Sequence, residues 1–200
     1  NEYEGWENRK IAESLYMERL FDVYKSGFFS YVGDTYNLWA VIRDILPIHK
    51  DKIMNREGRM VLRPDSGCPE DILCGLNTKT EYDDLRNCEK TCKLAVGEYA
   101  EQINKGVIEL LWDIFGGTVN SKGYKVLDSH IGCIYGDAIT LERAEEICKR
   151  LESKGFASSN VVFGVGSFTY QFNTRDTFGF ALKTTYGKVN GKELLLYKDP

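Results

Sequence analysis

Four short apolar segments, each followed directly by Gly, Asp or Arg, are the feature of this sequence that most restricts its fold. Residues at helical spacing lie between them, so strand and helix patterns alternate along the chain. Short apolar runs that alternate with helices are typical of a parallel sheet covered on both faces. The sequence therefore predicts an α/β fold whose parallel strands include Phe28–Val32, Met60–Leu62, Ile131–Tyr135 and Val161–Phe163.

The helices of this pattern are visible from their apolar spacing and their first turns. Asn8–Tyr24 carries charged residues between apolar ones, which predicts an amphipathic helix before the first strand. A second helical pattern covers Leu38–Pro47, and Pro69–Asp71 has the acidic first turn of a helix after the second strand. Leu141–Leu151 is the predicted helix between the last two strands. The apolar positions of the first helix are Ile11, Leu15, Tyr16, Leu20, Phe21 and Tyr24.

Two further regions depart from the simple alternation of strand and helix. Residues 80–128 contain a predicted charged helix (Tyr82–Gln102), an apolar helix (Val107–Phe115) and glycine-rich turns, which indicates an insertion or an elaborated crossover. Near the end of the chain, Phe178–Tyr186 and Glu193–Tyr197 flank a turn at Asn190-Gly191, which predicts a β-hairpin. No linker divides the chain, so we treat residues 1–200 as one unit.

Charge and hydropathy exclude two classes of partner. The 26 basic and 30 acidic side chains give a net charge of -4 without a long block of one sign, which argues against a nucleic-acid surface. Apolar runs such as Ile131–Tyr135 and Leu194–Tyr197 are far shorter than a membrane span. The chain begins with Asn1 and has no secretory leader, so we expect a processed or cut cytoplasmic protein.

Six cysteines could formally form three disulfides. In a chain of this length without a secretory leader, free buried thiols are the expectation. Cys88 and Cys92 could share a helical face as metal ligands, but no second Cys or His pair at zinc-finger spacing accompanies them. We therefore expect no structural zinc and no disulfides.

Polar residues and glycines follow the strand ends. In a parallel sheet or barrel these ends converge on one edge, where ligands bind. Carboxylates such as Asp65 or Asp137 can accept hydrogen bonds from ribose hydroxyls or hold Mg²⁺, and Arg63 can bind a phosphate with two N–H groups. Glycine-rich turns present N–H groups to anions. The set, which suits a phosphorylated sugar, comprises Asp34, Thr35, Arg63, Asp65, Gly136, Asp137, Gly164, Gly166 and Ser167.

Plainer interpretations of the same residues stay open. Gly-Asp after a strand can be only a turn, and Arg-Pro-Asp-Ser-Gly can be a loop with an Asp cap. Gly164-x-Gly166 lacks the third glycine of the dinucleotide fingerprint. His49 and His130 show no triad spacing and are predicted to be surface or loop residues. Arg175 and Lys183 form a basic spot or are two solvated side chains.

Nucleophilic catalysis is not predicted, because Ser66, Cys68 and Ser167 have no activating base nearby in the sequence.

Five motifs, in order and spacing, closely resemble nicotinamide phosphoribosyltransferases. The resemblance runs from about Gly27 onward and includes the long insertion, which favours the nicotinamide enzymes over the shorter nicotinate phosphoribosyltransferases. Arg-Pro-Asp-Ser-Gly followed by Asn-Ser-Lys-Gly-Tyr-Lys is a specific pair. The motifs are Arg63–Pro69, Asn120–Leu127, Tyr135–Asp137, Phe163–Gly166 and Gln171–Asp176.

The resemblance implies a fold and a reaction. The fold is the irregular α/β barrel of the type II phosphoribosyltransferases with an accessory β-rich domain, and residues 1–200 would supply the second half of the barrel. The family joins nicotinamide to phosphoribosyl pyrophosphate, giving nicotinamide mononucleotide and pyrophosphate for NAD biosynthesis. It works as a homodimer with active sites at the subunit interface. Mg²⁺ accompanies phosphoribosyl pyrophosphate, and ATP is a further cofactor of the family.

The resemblance also implies roles for individual residues. Arg63 and Asp65 resemble catalytic residues that contact the ribose and the pyrophosphate. Gly136 and Asp137 resemble residues at the 5′-phosphate and ribose. The remaining matches are Gly166 and Ser167 with a phosphate-cradling turn, Arg175 and Lys183 with basic residues that reach phosphates across the dimer interface, and Asp34 and Thr35 with a supporting acid–hydroxyl pair.

Departures from the family pattern keep alternatives open. Ala138 replaces a usual glycine, and Gly166-Ser167-Phe168 replaces three glycines. Ser167 can still offer its N–H, but we expect Phe168 to narrow or reshape the phosphate turn. The aromatic and aspartate that read the base in the family, and its phosphorylated histidine, belong to the half outside this chain. The alternatives are a nicotinate phosphoribosyltransferase and a noncatalytic protein that binds a phosphosugar or nucleotide. We expect the 200-residue chain alone to be inactive.

Overall fold

A computed structural model describes residues 2–76, 97–166, 177, 179 and 182–196. Most of the predicted charged helix Tyr82–Gln102 lies outside these residues. Within them the first half of the chain alternates helices and strands as the sequence predicts. Its elements are α1 (Glu2–Val23), β1 (Ser26–Val32), α2 (Leu38–Ala40), a π-helical turn (Val41–Ile45), α3 (Lys50–Asn55), β2 (Glu57–Arg63) and α4 (Pro69–Cys74).

The second half continues the alternation with a small hairpin inserted. The apolar helix predicted over Val107–Phe115 is confirmed with the same bounds. A hairpin follows where the sequence showed only glycine-rich turns, since Gly117 and Leu127 pair in antiparallel fashion. The elements are α5 (Ala100–Lys105), α6 (Val107–Phe115), β3 (Gly117–Val119), β4 (Lys125–Leu127), β5 (Ile131–Tyr135), α7 (Leu141–Ser153), a 3₁₀ turn (Ser158–Asn160) and β6 (Val161–Phe163).

The main sheet confirms the predicted parallel α/β fold. Its strands lie in the order β1-β2-β5-β6, and each neighbouring pair is parallel. This order follows the chain without reversal, whereas a doubly wound sheet reverses its order at a switch point. Consecutive neighbours of this kind are what one arc of an α/β barrel contains.

A second hairpin near the end of the described chain is also confirmed, but its first strand is shorter than predicted. The strands are β7 (Tyr186–Val189) and β8 (Lys192–Leu195). Asn190 and Gly191 both have positive φ, 51° and 82°, which is the geometry of a tight two-residue hairpin turn. Residues 182–185 are not in a strand, so the predicted start at Phe178 is wrong for these four.

One apolar cluster links the sheet to the helices. Met60, Leu62 and Tyr135 on the sheet are fully buried, as are Ile42 and Leu111 on the helices. Among the described residues, no helix combines the length and hydropathy that a membrane crossing requires.

The buried face of α1 coincides only in part with the predicted apolar stripe, which included Phe21. Met17 and Phe21 are buried, together with the Glu13 carboxylate, whereas Ile11 and Leu15 are more than half exposed. The Tyr31 hydroxyl donates to Glu13 Oε1 at 2.8 Å, which explains how a carboxylate lies on the covered face. Apolar spacing alone could not show which of two adjacent stripes of α1 packs against the rest of the described chain.

His49 lies in the turn before α3, which agrees with the loop alternative of the prediction, but not with the surface alternative. Its ring is buried, with 2% of its surface exposed, rather than lying on the surface. Nε2 lies 3.0 Å from Ser14 Oγ, so the ring links α1 to the start of α3. Burial lowers the pKa of this imidazole. His130 is half-buried in a loop, as predicted, with Nδ1 2.7 Å from Asp128 Oδ1.

The described cysteines are all free thiols. Cys68, Cys74, Cys133 and Cys148 form no disulfide, and Cys88 and Cys92 lie outside the described residues. Burial raises the pKa of the Cys74 thiol to about 12, so it is an inert core group.

Candidate functional site

The predicted ligand-binding residues meet at the carboxyl edge of the parallel sheet. We call this edge the rim and define it by the segments that follow the four strands. Side-chain hydrogen bonds join the segments after β1 and β2, and backbone contacts join those after β5 and β6. The segments are Gly33–Thr35, Arg63–Gly67, Gly136–Ala138 and Gly164–Gly166.

Arg63 and Asp65 form an ion pair at the end of β2. Arg63 Nη2 donates to Asp65 Oδ1 at 3.0 Å, and both side chains are about two-fifths exposed. The Arg63 Nε atom is buried and has no hydrogen-bond partner among the described residues. The guanidinium therefore keeps donors that a bound anion can use.

Asp34 holds the loop that carries this pair. Its Oδ2 accepts a hydrogen bond from the backbone N–H of Asp65 at 3.1 Å, and a short one from the Ser66 hydroxyl. Its Oδ1 is buried and has no hydrogen-bond partner in the described part of the chain. A carboxylate oxygen in that condition has unused capacity for a cation or a hydroxyl. The neighbouring Thr35 is exposed.

Ser66 and Cys68 differ from each other in chemical environment. The Ser66 hydroxyl does have a carboxylate partner, Asp34, which sequence spacing did not reveal. The Cys68 thiol donates to Glu70 Oε2 at 2.9 Å. Burial, together with that hydrogen bond, raises the pKa of Cys68 to about 12. Cys68 is thus a protonated thiol at neutral pH and a poor nucleophile.

Tyr135 lies next to the rim, and no functional role for it was predicted, although it begins the Tyr135–Asp137 motif. It is fully buried at the end of β5, and its hydroxyl donates to the carbonyl oxygens of Ser66 at 3.0 Å and Gly67 at 3.2 Å. Burial is the main cause of the raised pKa of this hydroxyl, and the carboxylates of Asp137 and Asp34 add to it. Both carboxylates therefore lie close enough to Tyr135 for their charges to act on it.

Two glycines shape the other side of the rim. A Cβ atom on Gly164 would lie 2.8 Å from the Gly136 Cα, and one on Gly136 would lie 3.4 Å from Arg63 Nη2. The N–H of Gly164 donates to the Tyr135 carbonyl at 2.8 Å. The ends of β5 and β6 thus approach each other with little space for side chains between them.

Asp137 and Ala138 complete this side. Both are exposed, and Ala138 has a φ of 51°, in the left-handed region that favours glycine. This geometry is a physical reason why the family that the sequence resembles has glycine at this position. The Ala138 carbonyl accepts from Arg143 Nη1 at 2.9 Å, which ties the turn to α7.

The remaining predicted site residues are placed less completely. Gly166 is exposed at the last described position after β6. Lys183 is exposed beside the hairpin, and no contact described here joins it to the rim. Ser167, Phe168 and Arg175 lie outside the described residues.

The rim therefore combines one guanidinium, three carboxylates and closely packed glycine backbone. Carboxylates accept from sugar hydroxyls, the guanidinium binds phosphate oxygens, and exposed backbone N–H groups can do the same. Across the described ranges there is no group of three or more His, Cys, Asp or Glu side chains placed to hold a metal ion by themselves. The guanidinium, carboxylates and backbone of the rim can act by binding and by electrostatic stabilisation.

Comparison with known proteins agrees with this chemistry. Residues 8–200 match the family described as the nicotinate phosphoribosyltransferase (NAPRTase) family. A protein of Acinetobacter baylyi named nicotinamide phosphoribosyltransferase is 46% identical over 185 residues, which cover 90% of this chain and 33% of that protein.

Two proteins of the same name come from other bacteria. The Mycoplasma pneumoniae protein is 42% identical over 169 residues, covering 84% of this chain and 33% of that protein. The Mycoplasma genitalium protein is 37% identical over 183 residues, covering 92% and 36%. The chain thus spans about a third of the length of the curated relatives it matches.

Proposed function

The chain belongs to the nicotinate phosphoribosyltransferase family, and from that premise we propose that it is part of a nicotinamide phosphoribosyltransferase. The full-length protein would make nicotinamide mononucleotide and pyrophosphate from nicotinamide and phosphoribosyl pyrophosphate. Relatives named for nicotinamide support this choice of base over nicotinate. We propose that it acts as a cytoplasmic enzyme of NAD biosynthesis, as the family resemblance implies.

The observation that carries the proposal is the Arg63–Asp65 pair, held at the rim beside Asp34 and the glycines of β5 and β6. A phosphorylated ribose with a pyrophosphate leaving group presents both hydroxyls and anionic oxygens. The rim offers acceptors for the hydroxyls and donors for the anions within one connected set of loops. That match favours a phosphoribosyl substrate over a neutral sugar.

The reaction asks little acid–base chemistry of these residues. The ring nitrogen of nicotinamide attacks C1 of the ribose while the bond from C1 to pyrophosphate breaks. Positive charge develops on the ribose ring during this step. Arg63 binds the departing pyrophosphate, and Asp65 and Asp137 accept hydrogen bonds from the ribose hydroxyls. Backbone N–H groups around Gly166 and Ser167 bind the 5′-phosphate. Catalysis then rests on positioning and electrostatic stabilisation.

Mg²⁺ fits this rim as a companion of the substrate. Asp34 Oδ1, which is buried and unpartnered among the described residues, and the exposed oxygens of Asp65 are the acceptors that would face it. The ion would neutralise pyrophosphate charge. The contribution of the protein would be to hold the Asp34 and Asp65 carboxylates in a suitable orientation.

The rest of a barrel is expected from the part of the enzyme outside this chain. β1 forms one end of the sheet, and Phe28, Val32 and Val162 on one sheet face are largely exposed. A sheet edge and exposed apolar side chains of this kind need a covering. We therefore propose that the full-length protein closes the sheet into an α/β barrel. The 200-residue chain alone should make no nicotinamide mononucleotide.

Dimerisation would complete each active site. We propose that Arg175 and Lys183 serve the site of the partner subunit. Full-length Arg175→Ala and Asp137→Ala would each be nearly inactive, but mixed dimers would contain one site with both lesions and one with neither. Activity would return toward about a quarter of wild type in an equal mixture. If the mixture kept the low activity of the two variants after demonstrated subunit exchange, Arg175 and Asp137 would belong to the active site of the same subunit.

The direct test is turnover by the purified full-length protein. With Mg²⁺, phosphoribosyl pyrophosphate and either base, we expect nicotinamide mononucleotide to form with a kcat/KM at least about tenfold above that for nicotinate, the factor that reading an amide against a carboxylate supplies. Preference for nicotinate would make it a nicotinate phosphoribosyltransferase. Binding of phosphoribosyl pyrophosphate without turnover of either base would make it a noncatalytic phosphosugar-binding protein.

A further inference from the structure

Tyr135 contacts both sides of the rim. Its side chain reaches the loop after β2, through the carbonyls of Ser66 and Gly67. Its own carbonyl accepts from the N–H of Gly164 after β6. Gly136 and Asp137 follow Tyr135 directly in the chain, so the position of Tyr135 also affects the position of the Asp137 carboxylate.

The hydroxyl is needed for the loop rather than for the core. A phenylalanine would fill the same volume, and burying a hydroxyl costs free energy unless it is hydrogen-bonded. Tyr135 has no exposed surface, and its hydroxyl donates its one proton to a hydrogen bond shared by two carbonyls of the loop. The raised pKa of this hydroxyl keeps it protonated, so it remains a donor.

The loop is held from two directions. Asp34, from the strand on one side of β2, accepts from the Asp65 N–H and the Ser66 hydroxyl. Tyr135, from the strand on the other side, donates to the carbonyls of Ser66 and Gly67. Donors of the loop are thus bound on one side and acceptors on the other. Gly67 has a φ of 93°, so the loop contains a flexible residue that gains order from these bonds.

We infer that Tyr135 is a positioning residue, whose hydroxyl holds the 65–67 loop so that Asp65 and Asp137 face the same ribose. It acts through the loop and touches no substrate. The inference deepens the proposed function and rests on it, because the groups that Tyr135 positions are those proposed to bind phosphoribosyl pyrophosphate.

The test compares two tyrosines that each lose one buried hydroxyl. In the full-length protein, Tyr135→Phe should lower kcat/KM for phosphoribosyl pyrophosphate about threefold to tenfold, the effect of one neutral hydrogen bond. The KM for nicotinamide should stay within about twofold, because the hydrogen bond acts on the other substrate. The matched control is Tyr31→Phe, whose buried hydroxyl bonds Glu13 on α1 instead. Its kinetic constants should stay within about twofold of wild type, whatever stability it loses.

Hydrogen exchange adds a measurement that does not depend on turnover. A peptide covering Asp65–Gly67 should exchange faster in Tyr135→Phe than in wild type, and at the wild-type rate in Tyr31→Phe. Wild-type kinetics and wild-type exchange of this peptide in a folded Tyr135→Phe would overturn the inference. A general destabilisation that lowers kcat/KM for both substrates equally, in both variants, would also overturn it.

Failure of the proposed function gives a different result. If the wild-type full-length protein made no nicotinamide mononucleotide, affinity for Mg²⁺–pyrophosphate would replace kinetics as the measurement. Weaker binding of that probe by Tyr135→Phe than by Tyr31→Phe would keep the positioning role without the reaction. Equal affinities would end it.

Discussion

On the side of the rim that follows β1 and β2, side chains hold the functional groups, whereas on the side that follows β5 and β6 the backbone holds them. The first side contains the hydrogen bonds of Asp34 to the loop and the Arg63–Asp65 pair. The second is formed by the close approach of Gly136 and Gly164. Deleting side-chain atoms should therefore harm the first side, and adding them should harm the second.

The difference fits what each side would bind under the proposed function. Ribose hydroxyls and pyrophosphate are matched by directional side-chain groups, which need other side chains to orient them. A phosphate held by backbone N–H groups needs the chain itself to approach closely, and only glycine leaves the space. The comparison gives four predictions for the full-length protein, described from the largest expected effect to the smallest.

The largest effect should come from adding atoms at Gly164. In Gly164→Val the new side chain begins 2.8 Å from the Gly136 Cα, so the ends of β5 and β6 must separate. A displacement of about 1 Å at a site can cost about a hundredfold in rate, and we expect a loss of that size in kcat/KM for phosphoribosyl pyrophosphate. Overpacking should also lower the free energy of unfolding by about 1–3 kcal/mol.

Denaturant unfolding with a matched variant checks the cause. A Cβ at Gly166 would meet nothing within 4 Å, so Gly166→Ala should leave the free energy of unfolding within about 0.5 kcal/mol of wild type. If Gly164→Val kept wild-type stability and turnover, close backbone packing would not be what shapes the second side.

Arg63→Ala should have the next largest effect, on the side-chain side. Loss of a charge-assisted contact to pyrophosphate should lower kcat/KM for phosphoribosyl pyrophosphate by at least about tenfold. Arg59→Ala is the matched control, since Arg59 lies on the same face of β2 and donates to the Ser129 carbonyl at 2.7 Å, away from the rim. Equal kinetics for the two variants would remove Arg63 from the site.

The contrast between the sides also explains what the sequence could predict. The strands end where apolar runs end, so Asp34, Arg63 and Asp137 could be placed on one edge from order alone. The helix over Val107–Phe115 and the turn at Asn190-Gly191 followed from local patterns in the same way. These features depend on residues that are close in the chain.

Features that depend on distant residues could not be predicted. The Tyr135 hydroxyl meets carbonyls 68 and 69 positions earlier, and nothing in the local pattern separates it from a core aromatic residue. The burial of His49 could not be predicted, because its partner Ser14 is 35 positions away. Which stripe of α1 is buried likewise depends on the elements that cover it.

Ser66→Ala should have a smaller effect than Arg63→Ala. It removes the hydroxyl that donates to Asp34 Oδ2, but the Asp65 N–H still donates to the same oxygen. One of several bonds to the loop is lost, so kcat/KM for phosphoribosyl pyrophosphate should fall about twofold to fivefold. Ser153→Ala is the control, because Ser153 donates to the Arg150 carbonyl on α7. A larger loss than in Arg63→Ala would indicate that Ser66 itself contacts the substrate.

Ala138→Gly should have the smallest effect. Unlike Gly164→Val, it should raise the free energy of unfolding. Ala138 has a φ of 51°, a conformation that costs a residue with a Cβ about 1–2 kcal/mol. Glycine removes that cost but adds about 0.4–1 kcal/mol of unfolded-state entropy. The free energy of unfolding should therefore rise by about 0.5–1 kcal/mol, as measured by denaturant unfolding. Turnover should stay within about twofold, because the Ala138 carbonyl still accepts from Arg143.

The same substitution in a helix gives the decisive control. Ala144 lies in α7 with helical backbone, so Ala144→Gly should lower the free energy of unfolding by about 1 kcal/mol. Two identical changes, six positions apart, should thus shift stability in opposite directions, because only one of them relieves backbone strain. If both lowered it equally, the turn after Asp137 would not need a left-handed residue. The second side of the rim would then owe its shape to the contact between Gly136 and Gly164 alone.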